Sequence, residues 1–189
     1  MKSAFRVGSV AVIGAGPAGR AFAFRCAAAG FAVVLEDVMP SNLRRAQDEY
    51  VEYAAGAKGS LRYATTVEDA VREADLAIDF VPDELESKLE IFSLLDRMAP
   101  PRTVLCTPTL ALSVTDLASC TYRPERCVGL RAAGADLLSG AVDVVRSRFL
   151  VDPVEAAVVE FLVALGLSVV VIEDELEPML VKNALLGPR

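Results

Sequence analysis

Gly14-Ala15-Gly16-Pro17-Ala18-Gly19 sets three glycines at the spacing G-x-G-x-x-G, directly after the apolar run Val10–Ile13 and at the start of the Ala-rich stretch Pro17–Ala29, which Gly30 closes. A strand, a glycine turn and a helix in that order form a pyrophosphate cradle. Gly14 permits the tight turn, Gly16 lets backbone approach the phosphates, and Gly19 lets helix and strand pack closely. The first helical residues, Pro17 and Ala18, bring the positive end of the helix dipole to the same place. Six residues recur by chance, so the weight of the motif lies in its position between strand and helix.

A dinucleotide site also needs an acid at the end of the second strand, about 20 residues on. Glu36 and Asp37 stand there. A carboxylate at that point accepts the ribose hydroxyls of NAD and repels the additional phosphate of NADP, so the expected cofactor is NAD. The bland reading is a glycine turn and a solvated acid pair that bind nothing.

Histidine is missing from the sequence, which removes the usual general base and the commonest metal ligand. Candidates for chemistry among the other side chains are Asp143, Lys182 and the tyrosines. Each has a plainer role: an ion pair for Asp143, a solvated helix position for Lys182, packing for the tyrosines. No metal site is expected.

The elements that must position these residues alternate. Expected strands are Val10–Ile13, Phe31–Glu36, Leu61–Thr65, Leu76–Val81 and Thr103–Thr107. Between and after them lie helices at Pro17–Ala29, Ser41–Ala55 (with Ser41 as N-cap), Val67–Glu73, Glu84–Met98 and Val114–Ala118. Past Pro124 two strands, Cys127–Ala132 and Ala141–Arg146, precede a helix at Pro153–Leu165, a strand at Ser168–Ile172 and an apolar helical segment within 178–189. This order predicts an α/β, Rossmann-type doubly wound fold: a mostly parallel sheet with helices on both faces, in a single domain over 1–189.

The formal charge of −7 and the absence of a basic stripe argue against nucleic acid. Uninterrupted apolar runs such as Val169–Ile172 fall short of the roughly 20 residues of a membrane helix, and Met1–Val7 lacks a signal-peptide pattern. Cys26, Cys106, Cys120 and Cys127 show no CxxC spacing and read as reduced thiols in a cytoplasmic chain. A mean hydropathy of +0.41 is high for a chain that solvates its whole surface. A homo-oligomer or partner-subunit contact is therefore expected, through Met179, Leu180, Val181, Leu185 and Leu186.

From Val10 to about Leu186 the sequence resembles the NAD-binding half of the 3-hydroxyacyl-CoA dehydrogenases. The resemblance rests on Val10–Pro17, Val33-Val34-Leu35-Glu36-Asp37, Val81-Pro82-Asp83-Glu84-Leu85-Glu86-Ser87-Lys88, Leu112–Leu117, Arg123–Arg126 and Val128-Gly129-Leu130. It implies Asp37 as the ribose partner, with Asp83 and Lys88 on the cofactor side. Pro178–Leu186, including Asn183, is similar to the segment leading into that family's helical second domain, which is expected to be absent beyond Arg189.

The departures fall on the chemistry. Where the family has a histidine and then Phe-Phe-Asn-Pro after Gly-Leu, this chain has Arg131-Ala132-Ala133-Gly134-Ala135. The acid twelve residues on is Asp143, and the family's Asn-Thr-Ser-Ser reads Pro108-Thr109-Leu110-Ala111. Arginine stays protonated and cannot act as a base. If the strand pair is kept, Arg131 and Asp143 are expected to meet in the cleft as a bidentate ion pair; the alternative is two solvated charges that never touch. Three functional readings follow: an oxidoreductase with rebuilt chemistry on a small-molecule or acyl-thioester substrate, a nucleotide-binding subunit without turnover, and a non-redox enzyme holding an acyl-thioester or carboxylate on Arg131.

Overall fold

The computed structural model describes residues 5–132, 137–176 and 179–180. Eight strands form one sheet in the order β3-β2-β1-β4-β5-β6-β7-β8: β1 Ser9–Ile13, β2 Ala32–Glu36, β3 Ser60–Ala64, β4 Leu76–Asp79, β5 Val104–Pro108, β6 Cys127–Ala132, β7 Ala141–Arg146 and β8 Ser168–Glu173. Every neighbouring pair is parallel except β6 and β7. The helices are α1 Pro17–Ala29, α2 Pro40–Ala54, α3 Val67–Val71, α4 Leu85–Met98, α5 Val114–Ser119 and α6 Asp152–Ala164, with a 3-10 turn at Pro124–Arg126. This is the expected doubly wound architecture.

The central strands are apolar without alternation because helices cover both of their faces. One core, with Val10, Val12, Phe22, Leu35, Leu130 and Phe161, lies under α1 and α6. The other, with Ile13, Val71, Phe92, Leu105 and Leu117, lies under α3, α4 and α5. Cys26, Cys106 and Cys127 are free thiols buried in these layers, and Cys120 is exposed. Burial pushes the Cys127 thiol up to about 12. Among the described residues, no helix is long and apolar enough to cross a membrane.

Most boundaries shift by one or two residues from the sequence reading, β4 ending at Asp79 and not at Val81. Helix α2 starts at Pro40 with Met39 as N-cap, not at Ser41. Proline suits the first helical position, and the Asp37 side chain accepts the Met39 N–H at 2.7 Å, turning the chain one residue earlier. Helix α3 ends at Val71, short of Glu73. The expected C-terminal helical segment lies outside the described residues except for Met179 and Leu180, whose N–H groups both donate to the Asp116 carboxylate at 2.7 Å.

Candidate dinucleotide site

The glycine turn lies at the carboxyl end of the parallel strands. Gly14, at φ 98°, donates its N–H to Glu36 O at 2.8 Å, and Phe80 donates to Ile13 O at 2.7 Å, so the ends of β1, β2 and β4 are tied together. The left-handed backbone at Gly14 excludes ordinary side chains. A Cβ on Gly19 would overlap the Gly14 carbonyl oxygen, whereas a Cβ on Gly16 would meet nothing within 4 Å. Gly19 is thus a packing requirement, and Gly16 faces open space.

Helix α1 begins with Pro17, carries no side-chain cap and has no acid in its first turn. Its first intrahelical bond runs from Arg20 N–H to Gly16 O. The N–H groups ahead of that bond have no helical acceptor, so they and the dipole favour an anion. Arg20 supports the turn from beneath: its Nη1 donates to Ala15 O at 2.9 Å while Nε and Nη2 hold Glu49.

Asp37 is buried against this turn. Its Oδ2 accepts from Ala15 N–H at 2.8 Å and from Asn42 Nδ2 at 3.0 Å, and its Oδ1 accepts from Met39 N–H. Three donors leave part of a carboxylate's accepting capacity unused, enough for a ribose hydroxyl. Its neighbour Glu36 is 2% exposed, and Oε1 has no hydrogen-bond partner among the described residues. Burial first, and then the Asp37 charge, push the Glu36 carboxyl up to about 7.

A cavity of about 230 Å³ continues from the turn, lined by Ala18, Asp83, Lys88, Thr109, Leu130 and Leu137 among others. Asp83 and Lys88, which the resemblance put on the cofactor side, line the same cavity as Ala18 of the first turn of α1. Asp83 Oδ2 accepts from Leu110 N–H at 2.8 Å, bridging the loops after β4 and β5. Lys88 Nζ donates to Asp79 Oδ1 at 2.7 Å, and both side chains are almost fully buried. Burial raises the Asp79 carboxyl above its ordinary value, and the Lys88 charge opposes that rise. A larger cavity, about 670 Å³, lies elsewhere, against β1, β2, β3 and the residues around α3.

Arg131 corrects an expectation. It stands directly opposite Asp143 across the antiparallel β6–β7 pair, but among the described residues its ion pair is with Asp174, Nη2 to Oδ1 at 3.7 Å. Its Nε and Nη2 donate to Thr109 O and Leu112 O. Asp174 is fixed at the start of α5, where Oδ2 accepts from Ser113 Oγ and Thr115 N–H. That buried anion needs a cation more than the half-buried Asp143 does. Leu130 and Ala132 line the cavity, while Arg131, between them on the strand, projects to the other face of the sheet. Lys182 and Asn183 lie outside the described residues.

Sequence reasoning missed Asp79, Arg20, Asn42 and Asp174. Arg20 and Asn42 sit close in sequence to motif residues and could have been found as supports. Asp79 ends β4 and Asp174 follows β8, neither with a local signal, and their partners come from other elements.

Residues 9–175 match the family described as 3-hydroxyacyl-CoA dehydrogenase, NAD binding domain. The chain belongs to that family. It is 28% identical to a probable 3-hydroxybutyryl-CoA dehydrogenase of Bacillus subtilis (strain 168), covering 95% of this chain and 66% of that one. It is 32% identical to a 3-hydroxybutyryl-CoA dehydrogenase of Bradyrhizobium diazoefficiens, covering 95% and 65%. The crystal structure of 3-hydroxybutyryl-CoA dehydrogenase from Escherichia coli K12 superposes with a TM-score of 0.81 at 28% identity, over 90% of this chain and 39% of that one. This chain thus spans just under two thirds of the curated relatives' length.

The cofactor of this NAD-binding domain is NAD, and the residues fit it. The open face of Gly16 and the uncapped start of α1 suit the pyrophosphate, and Asp37 retains accepting capacity for the ribose. The cavity beside Lys88 and Thr109 extends from the phosphate end.

Proposed function

We propose that the chain is an NAD(H)-binding oxidoreductase-type domain whose substrate is not oxidised by the acid–base route its resemblance would imply. NAD supplies a hydride acceptor when bound. Gly14 and Gly16 with the first turn of α1 (Pro17, Ala18) hold the phosphates, Gly19 lets α1 pack against the turn, Asp37 takes the ribose, and Asp83 and Lys88 border the cavity that extends from the turn. Removing a hydroxyl proton from a substrate then needs a base at the carboxyl end of β6.

The observation that carries the reading is Arg131. A guanidinium stays protonated, and this one is engaged with Thr109 O, Leu112 O and Asp174. It can steady a loop or meet an anionic group, but it cannot accept a proton. A positioned base contributes about 10²–10⁴ in rate, so 3-hydroxyacyl-CoA oxidation should be weak or absent. A small molecule or acyl thioester whose reaction draws its base from elsewhere remains the substrate class.

NADH binding followed by fluorescence, with NAD reduction followed by absorbance in the presence of 3-hydroxybutyryl-CoA, tests this. Saturable NADH binding with turnover far below the about 1–10³ s⁻¹ usual for enzymes is expected. Turnover inside that range would overturn it.

A further inference from the structure

Strand β8 ends the sheet, and among the described residues nothing pairs with its outer side. Its inner side is set by two bonds to β7 and its flanks: Ser168 N–H donates to Gly140 O at 2.8 Å and Asp174 N–H donates to Arg146 O at 2.9 Å. Even-numbered residues therefore point their backbone groups inward. The N–H and C=O of Val169, Val171 and Glu173 point outward, where a strand left unpaired is a template for another strand.

Protected edges carry Lys, Pro, a bulge or a short strand. Ser-Val-Val-Val-Ile-Glu has neither Lys nor Pro, and it pairs with β7 over six consecutive residues without a bulge. Val170 is 57% exposed and Val171 40% exposed, one on each face of the sheet. The opposite edge, β3, carries Arg62 at its centre.

We propose that β8 is a self-association surface: a second copy of this chain adds its own β8 antiparallel, with the two-fold axis through Val171. That centring engages all three outward residues, Val171 against Val171 and Val169 against Glu173. It sets Val170 against Ile172 and Ser168 against Asp174, so no acid faces an acid. A parallel arrangement would lay Glu173 beside Glu173, which is unfavourable. The contact covers both exposed valines and closes the sheet edge, forming a sixteen-stranded sheet across two copies of eight.

Residues opposite one another in a hydrogen-bonded antiparallel pair lie about 5.5 Å apart at Cα, within disulfide range. In a Cys120→Ser background, which removes the exposed native thiol, Val171→Cys should cross-link on mild oxidation to a species of twice the 20.1 kDa chain mass. Val163→Cys, an exposed position on α6, is the control and should not. Light scattering should give a dimer for the wild type and a monomer for Val171→Pro, in which proline removes only an outward N–H that β7 does not use. Circular dichroism and retained NADH binding check that this variant folds; if it does not, Val171→Lys, which brings two charges to the axis, replaces it. A wild-type monomer would overturn the proposal. So would a dimer that survives these substitutions and is lost in Leu185→Asp, or cross-linking at 171 no faster than at 163.

Discussion

Arg131 and Asp143 face each other across β6 and β7, yet the guanidinium turns to Asp174. Asp174 joins three things at once: the arginine, the Ser113 hydroxyl and the Thr115 N–H at the start of α5. Its carboxylate therefore ties the end of β8 to the loop after β5.

Removing that anion strands a largely buried cation and leaves the Thr115 N–H at the start of α5 without its acceptor. Asp174→Ala is expected to lower stability by about 2–4 kcal/mol, from the lost charge partner and the lost hydrogen bonds, while Ser113 stays as the N-cap of α5. Asp143→Ala, half-buried with no ion pair among the described residues, should cost less than about 1 kcal/mol. Urea unfolding of both variants checks the order, and equal losses would contradict it.

Asp79 and Lys88 form an ion pair with both side chains withdrawn from water. Breaking such a pair from one side leaves an uncompensated charge, at a cost of about 3–5 kcal/mol, while replacing both partners is far milder. Lys88→Met is expected to unfold at markedly lower denaturant, and adding Asp79→Asn should recover most of the loss. A double variant no more stable than Lys88→Met would show that the pair is not the source of the effect.

The fold and the glycine turn were legible because their signals are local. Glycine spacing, β-branched runs and the alternation of strand and helix lie within about a dozen residues of one another, and so does the twelve-residue offset that sets Arg131 opposite Asp143. What the sequence hid depends on distant partners. Nothing near residue 131 announces that Asp174 would take its charge, and nothing near Asp79 announces Lys88 arriving from the next helix. The start of α2 was misplaced for a smaller reason: Ser41 is a good cap by type, but Pro40 and the Asp37–Met39 bond set the turn first.

Glu36 gives the chain a pH dependence of definite sign. Its carboxyl titrates at about 7 in the fold against an ordinary value of 4.5. Between those values the folded state holds more protons than the unfolded state, so stability falls as pH rises through the window and stays lowered above it. Glu36→Gln keeps the shape and removes the titration. It should gain about 1–2 kcal/mol near pH 8, once discounted for partial water access, and gain nothing below about pH 4.5. Thermal melts across this range check it; a difference independent of pH would point to packing instead.

Asp37 meets both the glycine turn and the incoming α2, so its loss has two separable effects. Asp37→Ala should weaken NADH binding about tenfold or more by removing the ribose acceptor, and it should cost about 1 kcal/mol in stability through the Ala15 and Met39 N–H groups. Calorimetry should also show wild-type preference for NADH over NADPH, narrowed in the variant because the repelling charge is gone. NADPH bound as tightly as NADH by the wild type would contradict this assignment.

Gly16 and Gly19 separate binding from folding. At Gly16 the backbone is extended with φ −63°, a conformation open to any residue, and an added Cβ meets nothing of the protein. Gly16→Ala should therefore keep its melting temperature within a few degrees, on the order of what about 0.5 kcal/mol produces. Yet the methyl would stand where backbone must approach a phosphate, so NADH affinity should drop by about tenfold or more. At Gly19 the added Cβ would overlap the Gly14 carbonyl oxygen, and that carbonyl belongs to a turn pinned by Glu36 and Phe80. Gly19→Ala must push α1 away from β1 and should cost about 2–4 kcal/mol, with binding lost as a consequence. Melting curves and NADH titrations on the two variants settle the division: if Gly16→Ala proves as unstable as Gly19→Ala, or binds NADH like the wild type, Gly16 does not face the phosphates.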